Sequence, residues 1–356
     1  MKVLIIGLGY AGQRYLRSFI HLGIELDIPM QFSYVGRHKR SEALPYFDKV
    51  SEAVNTFCPD IVVVSVNDHS HVKILKELQY FNGFIICEKP LAIPNENWTD
   101  FKNSLVNIKG FALDLVERYS EATQKLRDEI KRRQWTLIRA SFYWGKDRIN
   151  DYRPTCGVTS EIIHALDLIN FIYPKDTPLK LEAALGIKSD FSISGDNILD
   201  TVLLTAKIGN SPVAGYSSFV NVERQRNVDF TFIDPEGFLY HARIIYDTPE
   251  WDSDHLEIWT RDVNGKNVTV LDLKTEPSKP GLETVEKLSK LCKDVVLYVS
   301  NNVPPLQPFA DLNTTFSLQE LLDEISQKVL ATLPARYIRG QTRTLLPHDT
   351  DLESLG

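Results

Sequence analysis

The stretch KVLIIGLGYAG, residues 2–12, decides the fold of this chain. Its run VLII is apolar and short, as in buried strands of parallel sheets. The G-x-G-x-x-G spacing follows directly, and a helical pattern then continues to about Leu22. In this setting the first glycine permits a tight turn, the second lets backbone approach a pyrophosphate, and the third lets helix and strand pack closely. The stretch predicts dinucleotide contacts from Gly7, Gly9, Tyr10, Ala11 and Gly12.

The next hundred residues alternate between strand-like and helical patterns. Strands are predicted at 31–36, 61–66, 84–88 and 109–116, and helices at about 41–57, 70–80 and 95–107. For the run that ends in FIICEKPLA, 84–92, periodicity alone does not exclude a helical segment. Strands that alternate with helices imply right-handed crossovers and a doubly wound parallel sheet.

The second predicted strand ends in basic residues. NAD-binding domains normally carry a carboxylate here for the ribose 2′-hydroxyl, and a carboxylate would repel a 2′-phosphate. An arginine can instead pair with that phosphate bidentately. We therefore expect NADP(H) to be preferred, with NAD(H) possible, and predict contacts from Arg37, Lys39, Arg40 and Ser41. The alternatives are a merely solvated basic loop, or Glu25 or Asp27 as the ribose acid if the strand is misplaced.

Two further polar turns follow the third and fourth predicted strands. Asn67 and His71 come after the third strand, and Glu88, Lys89 and Pro90 after the fourth. Because ligands of open parallel sheets gather beyond the carboxyl ends of the strands, all of these except Pro90 are candidate cofactor contacts. The alternatives are that His71 caps the next helix and that Lys89 is a solvated loop residue.

The pattern changes beyond residue 118. An amphipathic helix at 119–133 and a strand at 135–145 precede a helix at 157–173. Successive strand-like runs then extend to 273, and helices follow at 281–301 and 315–332, the last with a possible capping box from Ser317 to Glu320. Strands joined by short turns predict a mostly antiparallel sheet. The fold prediction is an α/β Rossmann domain at 1–117, an α+β domain with a large, mostly antiparallel open sheet at 118–333, and a tail at 334–356.

The helix at 157–173 carries the clearest set of candidate catalytic side chains in the second domain. At helical spacing Ser160, Glu161, His164 and Asp167 share one stripe, while the opposite face is apolar. A packed histidine satisfied by Glu161 or Asp167 is the structural alternative. Glu-x-x-His also occurs in di-iron bundles, but the second motif and further Glu donors are absent, so we expect no metal site.

Composition excludes some classes of function. A net charge of −7 gives no electrostatic basis for sequence-independent nucleic-acid binding. The four cysteines lie far apart without a C-x-x-C pair, which favours a reducing, cytoplasmic setting over a disulfide framework or zinc site. No stretch approaches the length of a membrane span, so no membrane partner is expected.

Taken together, GLGYAG, VNDHSH, CEKP and the helix with His164 and Asp167 resemble the glucose-fructose oxidoreductase and inositol 2-dehydrogenase family, written Gfo/Idh/MocA. The resemblance implies a Rossmann domain, a second domain with a large open sheet, and a homodimer or homotetramer formed through that sheet. It also implies Lys89 and His164 as active-site residues. Where the family commonly has an aspartate four residues before that histidine, this chain has Ser160, and Glu161 follows it.

The predicted function is NADP-dependent hydride transfer to or from a carbonyl or alcohol carbon of a sugar, polyol or sugar-derived small molecule. Lys89 would stabilise the developing oxyanion and exchange the proton, and His164 would orient the hydroxyl, its tautomer fixed by Glu161 or Asp167. The alternatives are an imine reductase or a catalytically silent NADP-binding sensor or regulator. The predicted substrate contacts, besides His164, are Tyr119, Tyr152, Arg153 and Ser160.

Overall fold

A computed structural model of the chain describes residues 1–101, 105, 107–149, 153–173, 178–277 and 279–337. Its first part is an α/β domain. The strands are β1 (Lys2–Ile6), β2 (Gln31–Val35), β3 (Tyr46–Phe47), β4 (Ile61–Val64), β5 (Phe84–Cys87) and β6 (Gly110–Leu113), and the helices are α1 (Tyr10–Glu25), α2 (Val50–Phe57) and α3 (His71–Glu77).

The six strands form a wholly parallel sheet in the order β3-β2-β1-β4-β5-β6. Strands β4 and β5, with the sequences IVVV and FIIC, are buried along their whole length, as expected for inner strands covered on both faces. The chain leaves β1 towards one side of the sheet and later returns to β4 on the other side. This reversal of strand order opens a crevice at the carboxyl ends of β1 and β4, and the predicted Rossmann fold is confirmed.

The second part of the chain builds a larger mixed sheet. Its strands are β7 (Thr136–Asp147), β8 (Lys180–Ser189), β9 (Ile198–Ile208), β10 (Ser211–Ser218), β11 (Val220–Ile233), β12 (Leu239–Ile245), β13 (Asp254–Arg261), β14 (Asn267–Thr275) and β15 (Leu330–Ala331). Its helices are α4 (Glu121–Arg133), α5 (Thr159–Ile172), α6 (Glu286–Asn301) and α7 (Leu312–Lys328).

The strand order is β14-β13-β12-β11-β7-β10-β9-β8-β15. Neighbours are antiparallel except for β7 with β10 and β8 with β15. From Val202 to Ile208 strand β9 alternates between buried and exposed residues, with Leu204 4% exposed and the adjacent Leu203 45% exposed. Helices α4, α5 and α7 pack on this sheet, and the face that carries Leu203 is open. The prediction of a large, mostly antiparallel open sheet is confirmed.

Helix α6 leaves the second sheet and packs against α1 of the Rossmann domain. Its residues Leu288 and Val295 share one hydrophobic core with Ile5 and Phe84 of the parallel sheet. A segment that we assigned to 118–333 thus covers a face of the first domain.

Three local predictions are wrong. The stretch at 41–57 is not one helix, because β3 pairs with β2 before α2 begins at Val50. Within the described part of 95–107, the structure has a 3-10 turn at Thr99–Phe101 in place of an α-helix. Helix α7 begins at Leu312, capped by the Asp311 side chain accepting from the Thr314 N–H, so the capping box from Ser317 lies inside the helix.

Candidate functional site

The glycine turn between β1 and α1 has the geometry that a bound pyrophosphate requires. Gly7 has φ +96°, and a Cβ there would lie 2.8 Å from the Ser65 carbonyl oxygen. A Cβ on Gly12 would lie 2.2 Å from the Gly7 carbonyl oxygen, so only glycine allows this close packing of helix and strand. Gly9 caps α1 in an extended conformation without a side-chain hydrogen bond. The N-terminus of α1 therefore remains available to an anion, and these residues fit a dinucleotide.

The basic loop that follows β2 is held in place by a tyrosine of that strand. The Tyr34 hydroxyl oxygen accepts hydrogen bonds from the backbone N–H groups of Arg40, at 2.7 Å, and Ser41, at 2.9 Å. The Arg37 side chain is exposed, and Lys39 forms an exposed ion pair with Glu42. Arg37 and Ser41 thus lie on an anchored loop at the carboxyl end of β2, whereas the Lys39 ammonium already has a partner.

The structure corrects the role predicted for His71. This histidine is fully buried, with Nδ1 2.6 Å from the Pro90 carbonyl oxygen and Nε2 3.1 Å from the Val66 carbonyl oxygen. It therefore fastens the turn after β5 to the turn after β4 and does not face a cofactor. Asn67, in contrast, lines the cleft described below, and its Oδ1 accepts a hydrogen bond from the Ser70 hydroxyl at 3.1 Å.

The Glu-Lys-Pro turn lies between the two domains. The Glu88 N–H donates to the Val64 carbonyl at 2.9 Å, which keeps the chain in register with β4 as it leaves the sheet. The Lys89 ammonium donates to the Ser160 carbonyl in the first turn of α5 at 2.7 Å. A Rossmann strand end and the histidine helix thus meet at Lys89.

A cleft of about 620 Å³ opens between the glycine turn, this Glu-Lys-Pro turn and α5. It brings together the predicted residues from both domains. Those that line it are Tyr10, Ala11, Asn67, Glu88, Lys89, Arg153, Glu161 and His164.

His164 has a different partner from the one predicted. Its Nδ1 lies 2.8 Å from Oε2 of Glu117, and its ring stacks on Trp144. Burial opposes ionisation of Glu117, but the charge that His164 carries when protonated, its hydrogen bond, and the charges of Arg226 and Lys287 outweigh it and lower the pKa of this carboxyl to about 2. Because a carboxylate only accepts, Nδ1 carries the hydrogen and Nε2 is left for a ligand. Glu117 fixes the tautomer, in place of Glu161 or Asp167.

Glu161 forms ion pairs with charged side chains other than His164. Its Oε1 accepts from Arg226 at 2.9 Å and from the Trp144 indole at 3.2 Å, and its Oε2 lies 2.6 Å from the Lys146 ammonium. Burial opposes ionisation of Glu161, but Lys146, Arg226 and Lys89 hold its pKa well below the ordinary range. Glu161 therefore acts as a counter-ion in the wall of the cleft.

Asp167 lies away from the cleft. Its carboxylate accepts two hydrogen bonds from the guanidinium of Arg118, at 2.7 and 2.5 Å, and both side chains are buried. The predicted catalytic role of Asp167 is thus replaced by a structural ion pair. The sequence did not reveal this, because Arg118 is distant along the chain.

Three predicted substrate contacts are not placed at the cleft. The Ser160 side chain is buried and donates to the Gly157 carbonyl at 2.9 Å, so only its carbonyl meets Lys89. Tyr119 is buried in the core beneath α6. Tyr152 lies outside the described residues. Arg153 does line the cleft, with its guanidinium 5.3 Å from the centre of the Tyr10 ring.

Sequence reasoning missed a second-domain wall of this cleft. It is formed by Lys146 at the end of β7, Arg224 and Arg226 on β11, and Trp251. Arg224 and Arg226 are two residues apart on one strand, so their side chains are expected on the same face of the sheet. The local sequence does not indicate which cavity that face lines.

Asp114, which follows β6, was also missed. Burial, reinforced by the nearby negative charge of Glu88, raises the pKa of Asp114 well above its ordinary range. The Tyr15 hydroxyl lies 2.8 Å from Oδ2 of Asp114. Its position at the carboxyl end of a Rossmann strand was the available signal.

Comparison with known proteins agrees with this geometry. The sequence model of the family described as "Oxidoreductase family, NAD-binding Rossmann fold", GFO_IDH_MocA, matches residues 1–107. No curated protein matches the chain significantly. Within the described residues, no helix is both long and apolar enough to cross a bilayer.

Several solved structures share the fold over most of the chain. The transcriptional regulator Gal80p from Kluyveromyces lactis has a TM-score of 0.70 at 12% identity, covering 92% of this chain and 89% of its own. KijD10, a 3-ketoreductase from Actinomadura kijaniata in complex with NADP and TDP-benzene, has a TM-score of 0.69 at 10% identity, covering 95% and 99%. UDP-N-acetylglucosamine 3-dehydrogenase GnnA from Acidithiobacillus ferrooxidans has a TM-score of 0.62 at 14% identity, covering 92% and 97%. At such identities the likeness concerns the fold alone.

Fold and cleft together define a class of protein, a two-domain chain with an NAD(P)-binding Rossmann domain and a large open sheet. More narrowly, the family match over residues 1–107 confirms the resemblance to the Gfo/Idh/MocA oxidoreductases, while the solved structures show a shared fold over most of the chain.

Proposed function

We propose that this chain is an NADP-dependent oxidoreductase acting on a carbonyl or alcohol carbon of a sugar, polyol or sugar-derived metabolite. The observation that carries the proposal is that Lys89 and His164, from different domains, line one cleft with the start of α1 at the glycine turn. The sugar-modifying 3-ketoreductase and 3-dehydrogenase among the similar structures support this class of substrate.

The Rossmann side of the cleft would hold the cofactor. Backbone N–H groups at the start of α1 would bind the pyrophosphate, and Arg37 with Ser41 would bind the 2′-phosphate. No carboxylate lies in the loop 36–41 to repel that phosphate. When bound, NADP(H) would supply or accept the hydride.

On the other side Lys89 and His164 would handle the proton. Negative charge develops on a carbonyl oxygen as hydride arrives, and the Lys89 ammonium would stabilise it and donate the proton. His164 would accept a hydrogen bond from the substrate hydroxyl at Nε2, since Glu117 holds Nδ1. The Ser160 carbonyl, which accepts from Lys89, would orient the ammonium in place of the aspartate that the family commonly has.

A second candidate is a catalytically silent NADP-binding regulator. It is favoured by the similarity in fold to Gal80p, which is described as a transcriptional regulator, and by Ser160 in place of an aspartate. Lys89 and His164, which line the same cleft, favour the enzyme.

We also propose that the open face of the second sheet mediates self-association into a homodimer or homotetramer. This face carries exposed apolar side chains, with Leu185 56% and Leu203 45% exposed. Apolar groups that share one exposed face favour a protein partner, and a second copy presents the same face.

The decisive assay follows NADPH oxidation against a panel of ketoses and keto-sugar nucleotides, with Lys89→Met as the test variant. We expect turnover by the wild type and a loss on the order of 100-fold or more in kcat for the variant, measured at saturating NADPH. Undiminished turnover by Lys89→Met would refute the acid-base role. NADPH binding without turnover on any substrate would favour the regulator.

A further inference from the structure

The charged residues that line the cleft divide sharply between its two sides. Those from the chain up to residue 117 are mainly acidic, and those from residue 146 onward are mainly basic. The first group is Asp68, Glu88, Asp114 and Glu117 with the cations Arg14 and Lys89, and the second is Lys146, Arg148, Arg153, Arg224 and Arg226 with the acids Asp147 and Glu161.

The acids on the basic side already have partners. Glu161 is held by Lys146 and Arg226, and Arg226 also binds Asp247. The Asp147 carboxylate accepts the Ile149 N–H at 2.8 Å. These ion pairs account for Lys146 and Arg226 and do not include Arg224.

Arg224 gives the basic side a positive charge that these ion pairs do not offset. No carboxylate of the described residues forms an ion pair with it, and its guanidinium lies 4.2 Å from the centre of the Trp251 ring. Burial and the charge of Arg226 lower the pKa of Arg224, although a guanidinium remains charged at any physiological pH. A half-buried cation of this kind is stabilised by an anion that binds it.

The pKa of Lys146 reflects the positive charges that surround it. Burial lowers its pKa to about 7, and the charges of Arg226, Lys89 and Arg148 add to that effect against the opposing carboxylate of Glu161. Even a carboxylate at 2.6 Å does not restore the ordinary pKa of this lysine.

We propose that the substrate carries an anionic group, a phosphate ester or a carboxylate, which Arg224 and Lys146 bind while the reacting carbon lies at Lys89 and His164. This inference rests on the proposed function and names the class of substrate within it. The flat ring of Trp251, beside Arg224, bounds the anion subsite. A neutral sugar would leave Arg224 without a counter-charge.

The test measures binding by calorimetry to the full-length protein saturated with NADP⁺, which keeps the cofactor's own phosphates out of the comparison. The probes are D-glucose 6-phosphate, D-glucuronate, inorganic phosphate and D-glucose. We expect either or both sugar anions to bind at least about 10-fold more tightly than D-glucose, and Arg224→Gln to remove that advantage. The probe that binds more tightly distinguishes a phosphate ester from a carboxylate.

Two further variants guard against a folding defect. Arg224→Lys keeps the charge and should retain most of the preference, while Arg261→Gln, an exposed arginine of the same sheet, should leave it unchanged. Equal binding of anions and D-glucose, equal anion binding by Arg224→Gln and wild type, or no binding of any anion would each overturn the inference. Turnover plays no part in this readout, so anion binding by an inactive protein would refute hydride transfer and leave the subsite standing.

Discussion

Replacing Glu117 by glutamine removes the charge that holds His164 and preserves the shape of the side chain. Glu117 is buried, and its Oε2 lies 2.8 Å from Nδ1 of His164. Glutamine can still accept a hydrogen bond from Nδ1, but it cannot neutralise the surrounding cations.

The magnitude follows from the pKa of Glu117. Folding lowers it from 4.5 to about 2, because the charge that His164 carries when protonated, its hydrogen bond, and the charges of Arg226 and Lys287 outweigh burial. At about 1.4 kcal/mol for each pH unit, that difference corresponds to about 3 kcal/mol of stability at neutral pH. Because the pKa is lower in the folded state, this contribution is fully present above pH 4.5 and is lost as the pH falls towards 2.

Urea unfolding followed by tryptophan fluorescence measures this effect. We expect Glu117→Gln to lower the free energy of unfolding by about 3 kcal/mol at pH 7 and by clearly less at pH 4. Glu121→Gln, a change of an exposed carboxylate four residues away, is the matched control and should stay within about 0.5 kcal/mol of wild type. A Glu117→Gln variant as stable as this control at pH 7, or a difference that does not shrink with pH, would contradict the role assigned to Glu117.

Three other outcomes follow from the same contacts. Asp167→Asn should lower the free energy of unfolding by about 3 kcal/mol, because it breaks a buried ion pair with Arg118, and should leave the KM for substrate unchanged. A changed KM in a variant that calorimetry shows to be folded would indicate that Asp167 contributes to the site. Arg37→Gln should weaken NADPH binding about 10-fold in fluorescence titrations and leave NADH binding unaltered, and equal losses for both would count against a 2′-phosphate contact. D-Glucuronate affinity should fall as pH rises through about 7, where Lys146 loses its charge, and Lys146→Arg should flatten the profile; a flat wild-type profile would remove Lys146 from the anion subsite.

The Rossmann half could be predicted because its signals are local. An apolar strand, three glycines and a helix follow one another within residues 2–22, and steric contacts at Gly7 and Gly12 account for those glycines. The placement of Lys89 in the cleft followed from the rule that ligand crevices of parallel sheets lie at the carboxyl ends of the strands.

The partners of the site residues could not be predicted in the same way. Glu117 reaches His164 from 47 positions away, and helical spacing suggested Glu161 and Asp167 because they were nearer in sequence. The carboxylate of Glu161 instead forms an ion pair with Arg226, and that of Asp167 with Arg118. Only the packing of the sheet and helices brings these residues together. Likewise Arg224 looks like a solvated strand residue until the fold places it beside Trp251.

The most direct measurement is a crystal structure of the protein with NADP⁺. The pyrophosphate should lie against the N–H groups at the start of α1, the 2′-phosphate at Arg37 and Ser41, and the nicotinamide ring in the cleft beside Lys89 and facing His164. A nicotinamide bound outside this cleft, or a dinucleotide that leaves Lys89 and His164 on a surface remote from its ring, would contradict the claim that the two domains form one site for hydride transfer.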